Sequence, residues 1–271
     1  MQDLVNRQCA LWHLEPLGPA LETRTSIIQK VQHAAGLAAL KCLRPGNEER
    51  RAPGIIAWFG GEGCVRLLRR DGDAVLLEWI DGIALSELVR NGRDVEAAEI
   101  LAEVAGKLHS PRRQPGPDTV PLSERMAPLL SQHGAADVLT REAAVLGRRL
   151  LETARGEQPL HGDLHHCNIL HHAQRGWLAI DPKGVFGDPH YDLANALCNP
   201  MQYPEVVRNQ DRVVTLARVF ADRLGLDMDR LLSYAFCHAC LAALWSKQDG
   251  DDPTHWQEMA RIFRYQRAHE R

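Results

Sequence analysis

The ten residues at 161–170, HGDLHHCNIL, set an aspartate and an asparagine five positions apart. Asp163 and Asn168 could share one short loop, with the carboxylate beside an attacking hydroxyl and the amide oxygen on a divalent cation. Two strand-like runs follow, 169–172 and 176–181, joined by a turn at 173–175. A hairpin there would bring Asp181, in AIDPKG, back to Asn168 as a second oxygen ligand from the other side. The spacing of Asp163, Leu164 and Asn168 is that of the loop H-R-D-L-x-x-x-N, which serves transfer of a γ-phosphoryl group. That reaction needs little covalent help; it needs positioning, charge neutralisation and one group to orient the hydroxyl.

Phosphates also require a cation. Lys41 lies in LAALKCL, an apolar run that would exclude a lysine without a partner. Lysine is scarce, five residues against 27 arginines, so one inside a strand is less readily filler. Glu49, from a helix expected over residues 47–59, is the expected partner, with Glu48 as its substitute. Pro53 and Gly54 weaken that helix.

The elements that must position these groups change character along the chain. Residues 26–32, 37–43, 64–70 and 74–80 read as short strands of a mostly antiparallel sheet with one helix inserted. After Gly82 the pattern turns helical. Asp94 is expected to cap a run in which Val95, Ala98, Leu101, Val104, Ala105 and Leu108 recur at helical spacing. Residues 111–121 form a proline-rich connector. The run 211–224 is amphipathic, and 231–245 is apolar almost all round, as a buried helix would be. The expectation is an α+β chain, with a nucleotide-binding sheet lobe over 1–80 and a larger, mainly helical lobe over 81–271 carrying catalysis and substrate binding.

Composition narrows the partners. Lys and Arg number 32 against 35 Asp and Glu, which leaves no basic surplus for a nucleic-acid backbone. No stretch approaches the apolar length of a membrane span. Seven scattered cysteines in a chain without signs of export read as reduced thiols, with the cytoplasm as the expected compartment. Cys237 and Cys240 are expected to be buried core thiols, and Trp245 a core residue. The histidines at 161, 165, 166, 171 and 172 lack zinc-site spacing.

The segments TSIIQKVQ, ALKCL, VRLLRRDGDAVLLEWIDG, LHGDLHHCNIL, RGWLAIDPKGVFG, DLAN, DRLL and LAALW spread over about residues 25–245. Together they resemble the aminoglycoside phosphotransferase family, within it the branch of streptomycin 6-phosphotransferases and hydroxyurea kinases. The resemblance implies a protein-kinase-like two-lobed fold, ATP and Mg2+ as cofactors, and phosphorylation of a small-molecule hydroxyl, the 6-hydroxyl of streptomycin first, in antibiotic resistance. A kinase of hydroxyurea or another small alcohol, and a nucleotide-binding pseudoenzyme, are the alternatives. It further implies that Asp163 is the catalytic aspartate, that Asn168 and Asp181 bind magnesium, and that Lys41, paired with Glu49, holds the α- and β-phosphates. The adenine would bond to the carbonyl of Glu78 and the amide of Ile80, and Asp192 would brace the catalytic loop.

Three features depart from the family pattern. Cys167 stands where a glutamate is usual, Pro53 falls in the helix expected to carry Glu49, and residues 20–26 lack the glycines of a phosphate-covering loop. Asp249, Asp251 and Asp252, with Glu258 on the next helix, could receive a guanidinium or ammonium group of the substrate. The competing reading is a loop that caps a helix beginning near Pro253 and Thr254.

Overall fold

The computed structural model describes residues 2–44, 48–132, 134 and 137–269. Its amino-terminal part is a six-stranded antiparallel sheet in the order Glu15–Pro16, Ser26–His33, Gly36–Leu43, Ala74–Glu78, Leu67–Asp71, with Leu21–Glu22 paired to Ser26–His33 off that path. Strand alternation sorts the side chains. Ala38, Leu40 and Cys42, with Ile27, Val31, Ala74 and Leu76, pack against Val5, Cys9 and Trp12 of helix Gln2–Trp12. Nothing in the sequence reading anticipated that helix, although Val5, Cys9 and Trp12 fall on one helical face.

The other face carries Lys41, opposite Ile28 and Val75 in the ladders, and turns toward helix Ala52–Phe59. The helix expected over 47–59 is divided. Residues 48–51 form a 3-10 turn, and the α-helix begins at Ala52 with Pro53 in its first turn. A proline there sacrifices no intrahelical hydrogen bond, so Pro53 starts the helix rather than interrupting it. Asn47 and the side chain of Glu48 lie outside the described residues. The strand expected over 64–70 is observed as Leu67–Asp71, because Cys64 instead bridges Ala179 of the hairpin in parallel fashion.

Helices Asp94–Leu108, Val138–Glu152, His190–Leu197, Gln210–Leu224, Met228–Asp249 and Thr254–His269 build most of the remainder. Met228–Asp249 runs through its centre, with its residues from Arg230 to Ala243 buried, packed on Val138–Glu152, His190–Leu197 and Thr254–His269. Asp227 and Asn209 cap the starts of Met228–Asp249 and Gln210–Leu224, accepting from backbone amides one turn on. Asp94, expected as a cap, is instead the first helical residue. Its carboxylate is taken by the buried guanidinium of Arg212 in two hydrogen bonds of 2.7 and 3.0 Å. Cys237 and Cys240 are buried in the core of Met228–Asp249. Among the described residues, no helix is long and apolar enough to cross a membrane.

Asp188, wholly buried just before helix His190–Leu197, binds Arg230 of the central helix at 2.7 Å and accepts from the His190 ring at 2.5 Å. Burial by itself would raise its pKa; the His190 and Arg230 contacts reverse that and hold it at about 2. Removing one partner of such a pair leaves the other charge buried and uncompensated. Asp188→Ala is therefore expected to cost about 3–5 kcal/mol of stability, read by urea unfolding. A loss below about 1 kcal/mol would mean that water pairs Arg230 as well as the carboxylate does.

Candidate active site

The loop at 161–170 is held at both flanks. Strand Gln158–Leu160 leads into it and pairs antiparallel with Val185–Gly187, which follows Asp181. Within the loop, Asp192 from helix His190–Leu197 accepts from the amides of His161 at 3.0 Å and Gly162 at 2.7 Å, and from the His109 ring at 3.0 Å. Burial opposes this carboxylate, but the His109 and amide contacts keep its pKa below the ordinary value. Gly162 has φ +80°, and a Cβ there would lie 2.5 Å from Val185. Only glycine fits that turn. His161 is buried, donates from Nε2 to the Ile180 carbonyl at 2.9 Å and accepts the Asp163 amide at Nδ1, 3.2 Å away. It stays neutral because burial pushes its pKa down. Its ring shapes the loop.

The hairpin Ile169–His172/Gly176–Ala179 forms as expected, in a register that places Ala179 opposite Ile169. One more bond, Ile180 N–H to the Asn168 carbonyl at 2.9 Å, extends the ladder and sets Asn168 beside the end of the second strand. Asp181 then turns out of the strand with φ +55°, a left-handed conformation uncommon outside glycine. Asn168 donates from Nδ2 to the Asp163 carbonyl at 2.9 Å, so its amide oxygen is the end left to ligate a cation. Asp181 is about a third exposed and bonds Lys41 Nζ at 2.9 Å.

Lys41 also meets Glu49 at 2.8 Å, and Glu49 in turn accepts from Lys183 at 2.9 Å and the Thr25 hydroxyl at 3.0 Å. Burial disfavours the Lys41 ammonium, yet Asp181 and Glu49 together keep its pKa above the usual lysine value. For Glu49, burial would raise the pKa, and the two lysines more than offset it, holding the group at about 2. Lys183 was not singled out in the sequence; its position two residues after Asp181, inside DPKG, was the available signal. The glycine-free turn at 23–26 is closed by hydroxyls instead. Thr23 Oγ1 accepts the Ser26 amide at 2.9 Å and donates to its carbonyl at 3.0 Å, leaving Thr25 to reach Glu49.

Asp163 Oδ1 accepts from Asn195 Nδ2 at 2.9 Å. Asn195 closes the DLAN motif, quoted only as a matching stretch, and is thus a site residue that the spacing argument missed. Glu78 ends the strand Ala74–Glu78 at the expected adenine edge, and Ile80 follows in the connecting segment. The Glu78 side chain is committed to Arg175 and, at 2.8 Å, to the Arg66 amide. Cys167, half-buried, faces His165 and Gln202.

A cleft of about 700 Å³ opens beside Thr25, Glu49 and Lys183, with Arg125, Trp245 and Asp249 along its wall. Trp245, expected in the core, is half-buried: it packs against the core and also lines the cleft. Of the acidic residues expected at the substrate, Asp249 lines this cleft and pairs with Arg24 at 2.7 Å. Asp252 instead accepts from the Thr254 amide and hydroxyl at 3.0 and 2.6 Å, as a helix cap. Glu258 pairs with Arg208 at 2.6 Å. Neither of these two, nor the exposed Asp251, is among the residues lining the cleft.

An antiparallel sheet with a buried lysine–glutamate pair, set over a helical part that carries an Asp/Asn loop and a following Asp, is the protein-kinase-like architecture of small-molecule phosphotransferases. An aminoglycoside phosphotransferase solved as a ternary complex with ADP and hygromycin B shares it. That structure matches at a TM-score of 0.66 and 14% identity, over 96% of this chain and 97% of that one. A sequence profile described as the aminoglycoside/hydroxyurea antibiotic resistance kinase family matches residues 11–250. The chain is 35% identical over 243 residues to a streptomycin 3''-kinase of Klebsiella pneumoniae, covering 88% of this chain and 91% of that protein. It is 32% identical over 262 residues to a streptomycin 6-kinase of Streptomyces griseus, covering 91% and 83%. The chain belongs to the aminoglycoside/hydroxyurea antibiotic resistance kinase family and is a phosphotransferase with an alcohol group as acceptor.

The Lys41–Glu49 pair has a defined pH signature. Glu49 is depressed from 4.5 to about 2, so its contribution to stability is complete above the unfolded value and is lost as pH falls toward the folded one. Glu49→Gln should therefore be less stable than wild type at pH 6, and the gap should narrow steadily as the pH is lowered from 4.5 toward 2. Urea midpoints measured across that range check it; a gap that stays constant would remove the ion pair from the account.

Proposed function

We propose that this protein transfers the γ-phosphoryl group of ATP, as its magnesium complex, to a hydroxyl of streptomycin. The observation that carries the reading is one hydrogen-bonded edge: Lys41 to Asp181, Ile180 to Asn168, and Asn168 to Asp163, each at 2.9 Å. On this reading the edge joins a phosphate cation, two oxygen ligands and a base. Two protein oxygens suit magnesium, which keeps its remaining positions for phosphate and water. When bound, the ion neutralises charge on the transferring phosphate.

In this reading Lys41 grips the α- and β-phosphates while Glu49 keeps its ammonium in place. The adenine rests against the Glu78 carbonyl and the Ile80 amide, where Arg175 fixes the end of the strand. Asp163 receives the hydrogen bond of the acceptor hydroxyl and takes its proton as the new phosphorus–oxygen bond forms and the bond to ADP breaks. The acceptor occupies the cleft beside Trp245 and Asp249. Streptomycin carries guanidinium groups, and Asp249 already binds one, that of Arg24. The reading requires the cytoplasm, where ATP is available.

The 6-hydroxyl is the acceptor position expected from the resemblance. The 35% identity to a 3''-kinase, spanning 91% of that protein, favours the 3''-hydroxyl as the second reading. Coupled ADP-release assays with streptomycin, other aminoglycosides and hydroxyurea separate the substrates, and NMR of the product assigns the phosphate. Streptomycin-dependent ADP release is expected; its absence overturns the substrate, and release with hydroxyurea alone replaces it. Asp163→Asn should lower turnover by at least ~100-fold with nucleotide affinity nearly unchanged. Wild-type turnover in that variant would remove Asp163 as the base. Lys41→Ala should chiefly raise the KM for ATP, and unchanged nucleotide kinetics would misplace the phosphate site.

A further inference from the structure

Behind Asp163 lies a run of buried polar groups that the reaction as described does not use. Asn195 Nδ2 donates to Asp163 Oδ1 at 2.9 Å, and Asn195 Oδ1 lies 3.1 Å from His238 Nε2. His238 Nδ1 lies 3.4 Å from the Tyr191 hydroxyl, which accepts from Arg125 Nε at 3.1 Å. Tyr191, Asn195 and His238 are all buried. His238 comes from the central helix Met228–Asp249, Tyr191 and Asn195 from His190–Leu197, and Arg125 from the short helix Leu122–Arg125.

Both ends of this chain have a fixed sense. A carboxylate can only accept and a guanidinium can only donate. Asn195 must therefore present its nitrogen to Asp163 and its oxygen to His238. His238 must then carry its proton on Nε2, which leaves Nδ1 to accept from the Tyr191 hydroxyl. Every donor from Arg125 to Asn195 thus points toward Asp163. Burial keeps His238 neutral, with a pKa pushed down to about 3, and keeps Tyr191 protonated by raising its own. A second donor, Asn199 Nδ2 at 2.9 Å, also meets Asn195 Oδ1 and reinforces the amide's orientation. The far end of the chain reaches the acceptor cleft, which both Arg125 and Trp245 line; the Arg125 guanidinium sits 4.9 Å over the Trp245 ring. Trp245 in turn makes an edge contact with the His238 ring.

We propose that His238 is a positioning residue: through Asn195 it holds Asp163 in the rotamer that meets the acceptor hydroxyl, and through Tyr191 and Arg125 it ties that rotamer to the wall of the acceptor cleft. This rests on the reading of Asp163 as the base. Without its His238 contact the Asn195 oxygen keeps, among the described residues, only Asn199 as a partner, the amide plane is held less firmly, and the Nδ2 bond that fixes the Asp163 rotamer loosens.

The test compares His238→Phe, His238→Gln and Asp163→Asn under steady-state conditions with the acceptor that supports wild-type ADP release. Phenylalanine keeps a ring among Tyr191, Trp245 and Trp256 but has no donor. It should lower kcat by ~10–100-fold, with the KM for ATP within about twofold of wild type. Glutamine can place its amide nitrogen near the Nε2 position and should recover most of that loss. A merely structural role predicts the opposite ranking by stability, with KM and kcat moving together and no rescue by glutamine. Should His238→Phe fail to fold, Tyr191→Phe removes a single hydroxyl at the Arg125 link and should lower kcat while leaving the ATP KM alone. Wild-type kcat in the folded variant, or equal loss in His238→Phe and His238→Gln, overturns the proposal. If Asp163→Asn is inactive while His238→Phe is unimpaired, positioning alone fails. If Asp163→Asn turns over normally, the assignment of the base fails first.

Discussion

A lysine ammonium inside an apolar strand must find negative partners or lose its charge. That constraint organises the molecule around Lys41. Strand alternation turns it to the face opposite helix Gln2–Trp12, where Glu49 arrives from the 3-10 turn ahead of Ala52–Phe59 and Asp181 arrives from the end of the hairpin. The two carboxylates belong to different parts of the fold. Their shared cation links the sheet to the hairpin at the proposed phosphate site.

Buried carboxylates perform the complementary task within the helical part. Asp192 gathers two loop amides and a histidine, so that the backbone of His161 and Gly162 cannot relax away from helix His190–Leu197. Asp188, four residues earlier, anchors the start of the same helix to Arg230. With Asn195 one turn after Asp192, a single short helix supplies both the loop brace and the amide that touches Asp163, and Asp188 just ahead of it ties its start to the central helix. Asp188 and Asp192 are buried, so their hydrogen bonds form away from competing water and are strengthened by it.

The acidic stretch near residue 250 shows how one composition serves two ends. Asp249, Asp251, Asp252 and Glu258 are equally plausible guanidinium receptors in sequence. In the fold, a carboxylate next to a helix start meets unpaired amides first, and Asp252 is consumed there. Glu258 meets Arg208. Asp249 remains on the cleft because it ends the long central helix, and Trp245, one turn earlier on that helix, lines the cleft with it. The same placement gives Trp245 two roles, packed against the core on one side and lining the cleft on the other.

The sequence by itself determined the local chemistry: the loop spacing of Asp163 and Asn168, the hairpin returning Asp181, the lysine in an apolar strand, and the helical periods after Gly82. These are short-range properties, set by side-chain type, turn residues and periodicity, and they are legible without a partner. Only the tertiary structure decided what spans large separations. It put Lys183 on Glu49, turned Pro53 from a helix breaker into a helix start, folded Gln2–Trp12 onto the sheet, and joined Asp163 to Arg125 through Asn195, His238 and Tyr191. Asn195 and His238 lie on different helices, and no period or motif within either helix announces the other. Their meeting follows from how the helices pack, and packing is settled by the whole core at once.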